Sequence, residues 1–315
     1  MLTRDGHGLT TAHVRRVLTD PGLRVRVAED AWERVRASRA VVDAAIDAGA
    51  AVYGVTTGFG KLQDRAIAPE SRLRLQRNLV RSHAVGVGPL LEPAVARLVL
   101  LLRIQSLVRG HSGVTPELVE RLVAIWNAGI VPAVPEQGSV GASGDLAPLA
   151  HVALAVIGEG SVLVDGRETP AAEALAAAGI EPAYTLREKE GLALLNGTQL
   201  STAVGLGALL HADELLRHAD LVTAMTIDAL LYSAKPFRAA VQAVRPHPGQ
   251  AVTGATVQAL LAGSEILMSH AGPHKVQDAY SSRCAPQVHG AVRDALSHVR
   301  DVLVRGANST TDNPL

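Results

Sequence analysis

From Leu200 to Ser233 the sequence keeps a helical period while placing apolar side chains on most faces, among them Val204, Leu206, Leu209, Leu210, Leu215, Leu216, Leu221, Val222, Met225, Ile227, Leu230 and Leu231. A helix that is apolar nearly all round holds together in water only when other helices cover it, within a large core or across subunits. This one segment therefore predicts a mainly α chain built on long helices, and an oligomer. Composition agrees where it bears on the point. The chain has 315 residues and is 48% hydrophobic, most of it Ala, Leu and Val. That is enough apolar surface for one large domain or two ordinary ones.

The same composition narrows the function classes. Lys+Arg and Asp+Glu balance at 30 each, which removes the simplest electrostatic argument for nucleic acid or an anionic membrane. Two Trp, four Tyr and two Phe are few for a base-stacking platform. A single cysteine, Cys284, excludes an intrachain disulfide framework and a multi-cysteine zinc site. Residues 1–20 carry Arg4, Asp5, Arg15 and Arg16 and no continuous apolar stretch, so no signal peptide is expected. The most apolar window, Pro93 to Val108, includes Arg97 and Arg103 and falls short of the ~18 uninterrupted apolar residues of a membrane span. It reads as a buried helix. The expectation is a cytoplasmic protein with no membrane or nucleic-acid partner.

Local signals divide the chain further. Helices are predicted at Ala12–Leu18 behind Thr10–Thr11, at Glu29–Ala48, Ser71–His83, Glu92–Arg109, and from Thr115-Pro116-Glu117 to Gly129. Ala171–Ala178, Thr253–Met268 and Val288–Val304 complete the set. Ser161–Gly166 is strand-like and ends in a turn signal, so one small β-hairpin at most is expected. Two stretches resist the helical period. Residues 51–60 form a Gly-rich loop containing Tyr53. Val131–Pro148 crowds Pro132, Pro135, Gly138, Gly141, Gly144 and Pro148 between two apolar helical segments. A loop buried there would need unusual backbone partners, which makes it the first functional candidate.

Three familiar motifs fail. Gly58-Phe-Gly60-Lys61 lacks the glycine and the Ser/Thr of a phosphate-binding loop, with Val55 and Leu62 in their places. Gly141-Ala-Ser143-Gly144-Asp145 has Asp145 where a nucleophile elbow needs glycine. His270 and His274 are separated by Gly272 and Pro273, which interrupt the helix that two metal ligands would share, and no metal is expected.

The twelve-residue block Gly138-Ser-Val-Gly-Ala-Ser-Gly-Asp-Leu-Ala-Pro-Leu149 resembles the signature of the aromatic amino acid lyase family, ammonia-lyases that carry a methylidene-imidazolone prosthetic group. The resemblance extends to Tyr53–Gly60, Asn78–His83, Arg109–Gly113, Leu195–Gln199, Gln277–Gln287 and Thr311–Leu315. It implies that the Gly144 nitrogen attacks the Ala142 carbonyl, that two waters leave, and that Ser143 becomes the dehydroalanine bearing the methylidene. Residues i and i+2 meet only in a compressed backbone, which Gly144 and Gly141 permit. No external cofactor is implied. His83 after Arg-Ser, and the Gln-Asp-Ala-Tyr run ending in Gln-Val-His, are similar to the histidine-specific branch. The implied reaction is L-histidine to trans-urocanate plus ammonia.

Further roles follow from the resemblance. Tyr53, on a loop acting as a lid, takes the β-proton. Arg283 holds the substrate carboxylate through its guanidinium fork, and Tyr280 assists from the same face if this segment is helical. Asn196 donates to the imidazolone oxygen or the carboxylate. His83 recognises the substrate imidazole, and Gln277 is a weaker contact. The resemblance further implies an N-terminal helical domain, 1–199, carrying the buried Ala-Ser-Gly loop, then the start of a central bundle, 200–315, and a homotetramer with shared active sites. Family chains continue past Leu315, so the sequence reads as an N-terminal portion. Two other readings are a tyrosine ammonia-lyase or aminomutase, and a non-catalytic assembly fragment.

Overall fold

The computed structural model describes residues 1–60, 63–270, 276–313 and 315. Lys61 and His274, from two of the rejected motifs, lie outside the described residues. In chain order the elements are β1 (Leu2–Arg4), α1 (Thr11–Thr19), β2 (Val25–Val27), α2 (Glu29–Asp47), α3 (Pro69–His83), β3 (Val87–Leu90), α4 (Pro93–Leu107), α5 (Pro116–Asn127), β4 (Val131–Pro132), β5 (Pro135–Gln137), α6 (Leu146–Val156), β6 (Ser161–Val164), β7 (Arg167–Pro170), α7 (Ala171–Ala177), α8 (Glu190–Leu195) and α9 (Gln199–Ala229). After them come α10 (Ala239–Ala243), α11 (Pro248–Leu260), α12 (Glu265–Ser269), α13 (Tyr280–Arg283) and α14 (Ala285–Ala307). The fold class is mainly α, as the sequence predicts. Residues 1–207 with 303–315 form one compact unit, and residues 208–302 form a second.

In the first unit α4 is the spine. Every residue from Ala96 to Leu107 is buried, including Arg97 and Arg103. Pro93 opens the helix, where its missing N–H costs nothing. α3, α6 and α8 pack against one another beside it. This trio matters most for function, because the stretches bearing His83, Ser143 and Asn196 are all ends of these three helices. The N-terminal helices form on the predicted signals. Thr10 caps α1 by accepting from the His13 N–H, and Thr115 caps α5 by accepting from Leu118 N–H.

Differences from the sequence reading are local. The predicted hairpin exists as β6 and β7, with positive φ at Asp165 and Gly166, the mark of a two-residue primed turn. It is not the only β element. β4 adds to β6, β1 pairs with β2 in parallel, and β3 pairs with β5. Each is too short to leave a two-residue period in the sequence. The helix predicted over 253–268 is two helices. Gly263 turns at φ 77°, and Ser264 then caps α12 by accepting from the Leu267 N–H.

The Ala-Ser-Gly loop is also less buried than expected. Val140 is 84% exposed and residues 141–143 are exposed, while Asp145 at its stem is buried. The Gly197 turn and Ser201 of α9 hold the stem, and the tip is left uncovered. One stretch among the described residues, 190–229, is long and apolar enough to cross a membrane. Some 67% of its most apolar window is buried inside the protein, which is the burial of a core helix.

The second unit packs on its own small core of Ala224, Ile227, Phe237, Val257, Leu261 and Ala285. Buried Asp220 links α9 to α14 by accepting from His289 Nδ1 at 2.9 Å and from an Arg293 Nη at 2.6 Å.

Candidate active site

The site is built on two turns that meet. One is the stretch before α6, where the backbone bends through positive φ at Gly141 (66°), Ser143 (61°) and Gly144 (117°). Ser143 is not glycine, so this conformation costs energy that the surroundings must supply. The other is the turn Asn196–Gly197 between α8 and α9. Asn196 Nδ2 donates to the Ser143 carbonyl oxygen, and the Asp145 N–H donates to the Gly197 carbonyl at 2.7 Å. A Cβ at position 144 would lie 2.7 Å from the Gly197 oxygen and 2.8 Å from its nitrogen. Only glycine fits there.

Asp145 fixes the stem. Its buried carboxylate accepts from Ser139 Oγ at 2.7 Å, from Ser201 N–H at 2.8 Å and from Ser201 Oγ at 2.7 Å. Both ends of the loop are thereby tied to α9. Arg103 fixes the facing turn. From inside α4 it donates to the carbonyls of Ala193 and Asn196, each at 2.8 Å, and to Gln199 Oε1 at 2.5 Å. Full burial pulls its guanidinium down to about 10, against the opposing pull of Asp312 and Asp145. In the sequence Arg103 shows only as a charge in an apolar window, and Asp145 only as the residue that spoils a nucleophile-elbow motif. A lone Arg in an otherwise apolar helix is the signal that was available, since such a group must find buried acceptors.

Tyr53 sits on a loop docked to α8. Gln76 of α3 is fully buried and holds both parts. Its Nε2 donates to the Gly54 carbonyl at 3.3 Å and its Oε1 accepts from the Gly191 N–H at 2.9 Å. A Cβ on Gly54 would lie 2.6 Å from Leu192 Cδ2. The Tyr53 ring is 44% exposed and meets Phe59 edge-on, centroids 5.8 Å apart. Its hydroxyl accepts a long contact, 3.5 Å, from the Gly60 N–H.

His83 closes α3. Its Nδ1 donates to the Leu79 carbonyl at 2.9 Å, which leaves Nε2 as the acceptor nitrogen. The chain then passes Gly86, whose N–H donates to His151 Nε2 at 3.1 Å. Burial lowers the His151 imidazole below its ordinary value.

Gln277, Tyr280 and Arg283 belong to the second unit. Tyr280 to Arg283 is helical, as the expectation of a shared face requires, and the Arg283 guanidinium lies 5.5 Å from the Tyr280 ring centre. Arg283 Nε donates to the Asp278 carbonyl at 2.9 Å, and Asp278 in turn accepts from the Ser233 N–H. Tyr280 is 70% exposed and Gln277 is exposed. His270 turns both ring nitrogens to carbonyls, of Ile266 and Tyr232.

The residues present fit the prosthetic group expected at 142–144. If the Gly144 nitrogen closes on the Ala142 carbonyl carbon, the Ala142 oxygen departs as water. The ring then keeps the Ser143 carbonyl oxygen, the atom to which Asn196 Nδ2 donates. The cradle around Gly144 leaves no room for a side chain there.

Residues 9–315 match the family model described as aromatic amino acid lyase. The chain is 52% identical over 323 residues to the histidine ammonia-lyase of Anaeromyxobacter dehalogenans, covering all of this chain and 63% of that protein. Among solved structures it is similar to a histidine ammonia-lyase from Trypanosoma cruzi, with TM-score 0.90 and 39% identity over all of this chain and 58% of that one. It is also similar to a tyrosine aminomutase from Streptomyces globisporus, with TM-score 0.91 and 41% identity over all of this chain and 62% of that one. The chain therefore spans less than two thirds of the length of these relatives.

Proposed function

Because this chain belongs to the aromatic amino acid lyase family, we propose that the whole protein eliminates ammonia from L-histidine to give trans-urocanate, and that residues Ala142, Ser143 and Gly144 form its methylidene-imidazolone. The observation that carries the reading is the Asn196 donor on the Ser143 carbonyl, across a backbone already bent through positive φ. The name and the identity of the Anaeromyxobacter relative support the choice of histidine.

When formed, the group supplies an electrophile that draws electron density from the substrate amine and makes ammonia a better leaving group. The chain's own residues do the rest. Asn196 stabilises negative charge on the ring oxygen, as an oxyanion-hole donor does. Tyr53, itself exposed on a loop that is otherwise docked and buried over residues 54–58, takes the β-proton. His83 offers Nε2 to the N–H of the substrate imidazole, because its Nδ1 proton is committed to Leu79. In the second unit, Arg283 is the group for the substrate carboxylate, with Tyr280 next to it and Gln277 as a weaker contact.

The exposed apolar residues on the second unit's part of α9, including Leu215, Leu221, Val222 and Met225, support a homotetramer. Turnover is tested by the appearance of urocanate absorbance on adding L-histidine. Wild-type activity lost in Ser143→Ala is the expected result, and undiminished activity in that variant contradicts the reading. The likeness to a tyrosine aminomutase gives a second substrate to try. Faster conversion of L-tyrosine than of L-histidine would replace the histidine assignment.

A further inference from the structure

Behind the Asn196 turn lies a buried set of charges that the reaction does not use. Asp312 is 7% exposed, and neither of its carboxylate oxygens has a hydrogen-bond partner among the described residues. Two buried cations are bonded to its surroundings: Lys189 to the Asn313 carbonyl, and Arg103 to Gln199, which in turn bonds Thr311. Arg103 is fully buried, and Lys189 is 2% exposed in a left-handed backbone conformation at the start of α8. Asp312 is the largest electrostatic influence opposing the burial penalty on both. Arg103 Nε, Ser106 Oγ and Ser112 Oγ also lack partners among the described residues.

Neighbouring contacts bind this cluster to the active-site turn. Lys189 Nζ donates to the carbonyls of Ser112 at 3.2 Å and Asn313 at 2.6 Å. Thr311 Oγ1 accepts from the Thr198 N–H at 3.3 Å and from Gln199 Nε2 at 3.0 Å. Residues 311–313 thus run along the 196–199 turn, with the Asp312 carboxylate turned into the protein.

We propose that Asp312 is a positioning residue, whose carboxylate balances Arg103 and Lys189 so that Arg103 holds the Asn196 turn against residues 142–144. A buried cation without a counter-charge moves, drops its proton or draws in water. Any of these would loosen the Arg103 bonds to the Ala193 and Asn196 carbonyls. Asn196 Nδ2 would then leave the Ser143 oxygen, and the bend that brings the Gly144 nitrogen to the Ala142 carbonyl would relax. Unpartnered buried oxygens on Asp312 and hydroxyls on Ser106 and Ser112 are the surroundings that ordered water bridges.

The inference rests on the reading of 142–144 as the prosthetic group, so the test reads ring closure directly. The full chain is made as wild type, Asp312→Asn, Arg103→Lys, Asp312→Asn with Lys189→Met, and a core control, Val119→Ala. Intact mass gives the fraction of molecules that have lost two waters, and a thermal melt gives stability. Wild type should be closed. Asp312→Asn should leave at least half of the molecules unclosed, and removing the Lys189 charge as well, which returns the cluster to its original net charge, should recover closure. Val119→Ala should stay closed although it melts at a lower temperature, because a general loss of stability does not move Asn196. Complete closure in Asp312→Asn overturns the proposal, as does a Val119→Ala control that fails to close equally. Failure of the double variant to recover overturns the charge-balance argument. If Asp312→Asn yields no folded protein, Arg103→Lys decides: partial closure is expected, and full closure overturns the proposal. Wild type at its unmodified mass overturns the reading of 142–144 itself, and the inference with it.

Discussion

Asn196 is held at one end and works at the other. Its carbonyl accepts from Arg103, and its side-chain amide donates to the Ser143 oxygen. A donor fixed in advance to an atom that gains charge is worth roughly 10²–10³ in rate. Asn196→Ala should therefore lower kcat on L-histidine by about that factor. A loss under threefold would show that the contact is structural only. His151 gives a second residue-scale expectation. Burial depresses its imidazole, so the unfolded chain takes a proton at pH values where the folded chain does not. Stability from this group is present above the ordinary imidazole value near 6.5 and is lost as pH falls through the lowered one. Melting temperatures between pH 7 and pH 5 should fall less steeply for His151→Gln than for wild type, and equal slopes would contradict the assignment. At this scale the sequence was readable by likeness more than by pattern. Asn196–Gly197 alone is an ordinary turn signal, and only its place among the other motifs marked it. Arg103 and Asp145 act through partners far along the chain, Ala193 and Ser201 among them, and no local period reports such pairs.

Three packed helices, α3, α6 and α8, convert these contacts into a site. Gln76 joins the Tyr53 loop to α8 from α3. Gln76→Leu would leave the Gly191 N–H and the Gly54 carbonyl without their partner, costing about 1–3 kcal/mol for each buried group left unsatisfied. It should also free the tyrosine loop. Hydrogen exchange over residues 52–58 should quicken in this variant while that of α4 stays slow, and unchanged exchange in the loop would remove Gln76 from this role. Helix positions and the Asp165–Gly166 hairpin were legible because caps, prolines and glycines act locally. The break at Gly263 was passed over because one glycine inside an apolar run does not interrupt its period. The exposure of 140–143 was missed for another reason. Flanking apolar helices bury the stem of a loop without covering its tip, and a sequence does not distinguish the two.

For the molecule as a whole, the all-round apolar segment that predicted an assembly remains the strongest sign of one. Leu221, Val222 and Met225 stay exposed on α9 of this chain. A glutamate at each of positions 221 and 225 would place charge in any interface they form. Sedimentation should resolve a tetramer for wild type and a smaller species for the Leu221→Glu/Met225→Glu variant, and a wild-type monomer would contradict the assembly. Every role assigned to the site depends on chemistry at residues 142–144, which mass spectrometry reads without substrate. The intact protein should weigh two waters less than its sequence requires, with the deficit in the peptide spanning Ala142 to Gly144, and Ser143→Ala should lack the dehydroalanine that the intact triplet yields. A wild-type chain at its full sequence mass, turning over L-histidine nonetheless, would contradict the account at its centre.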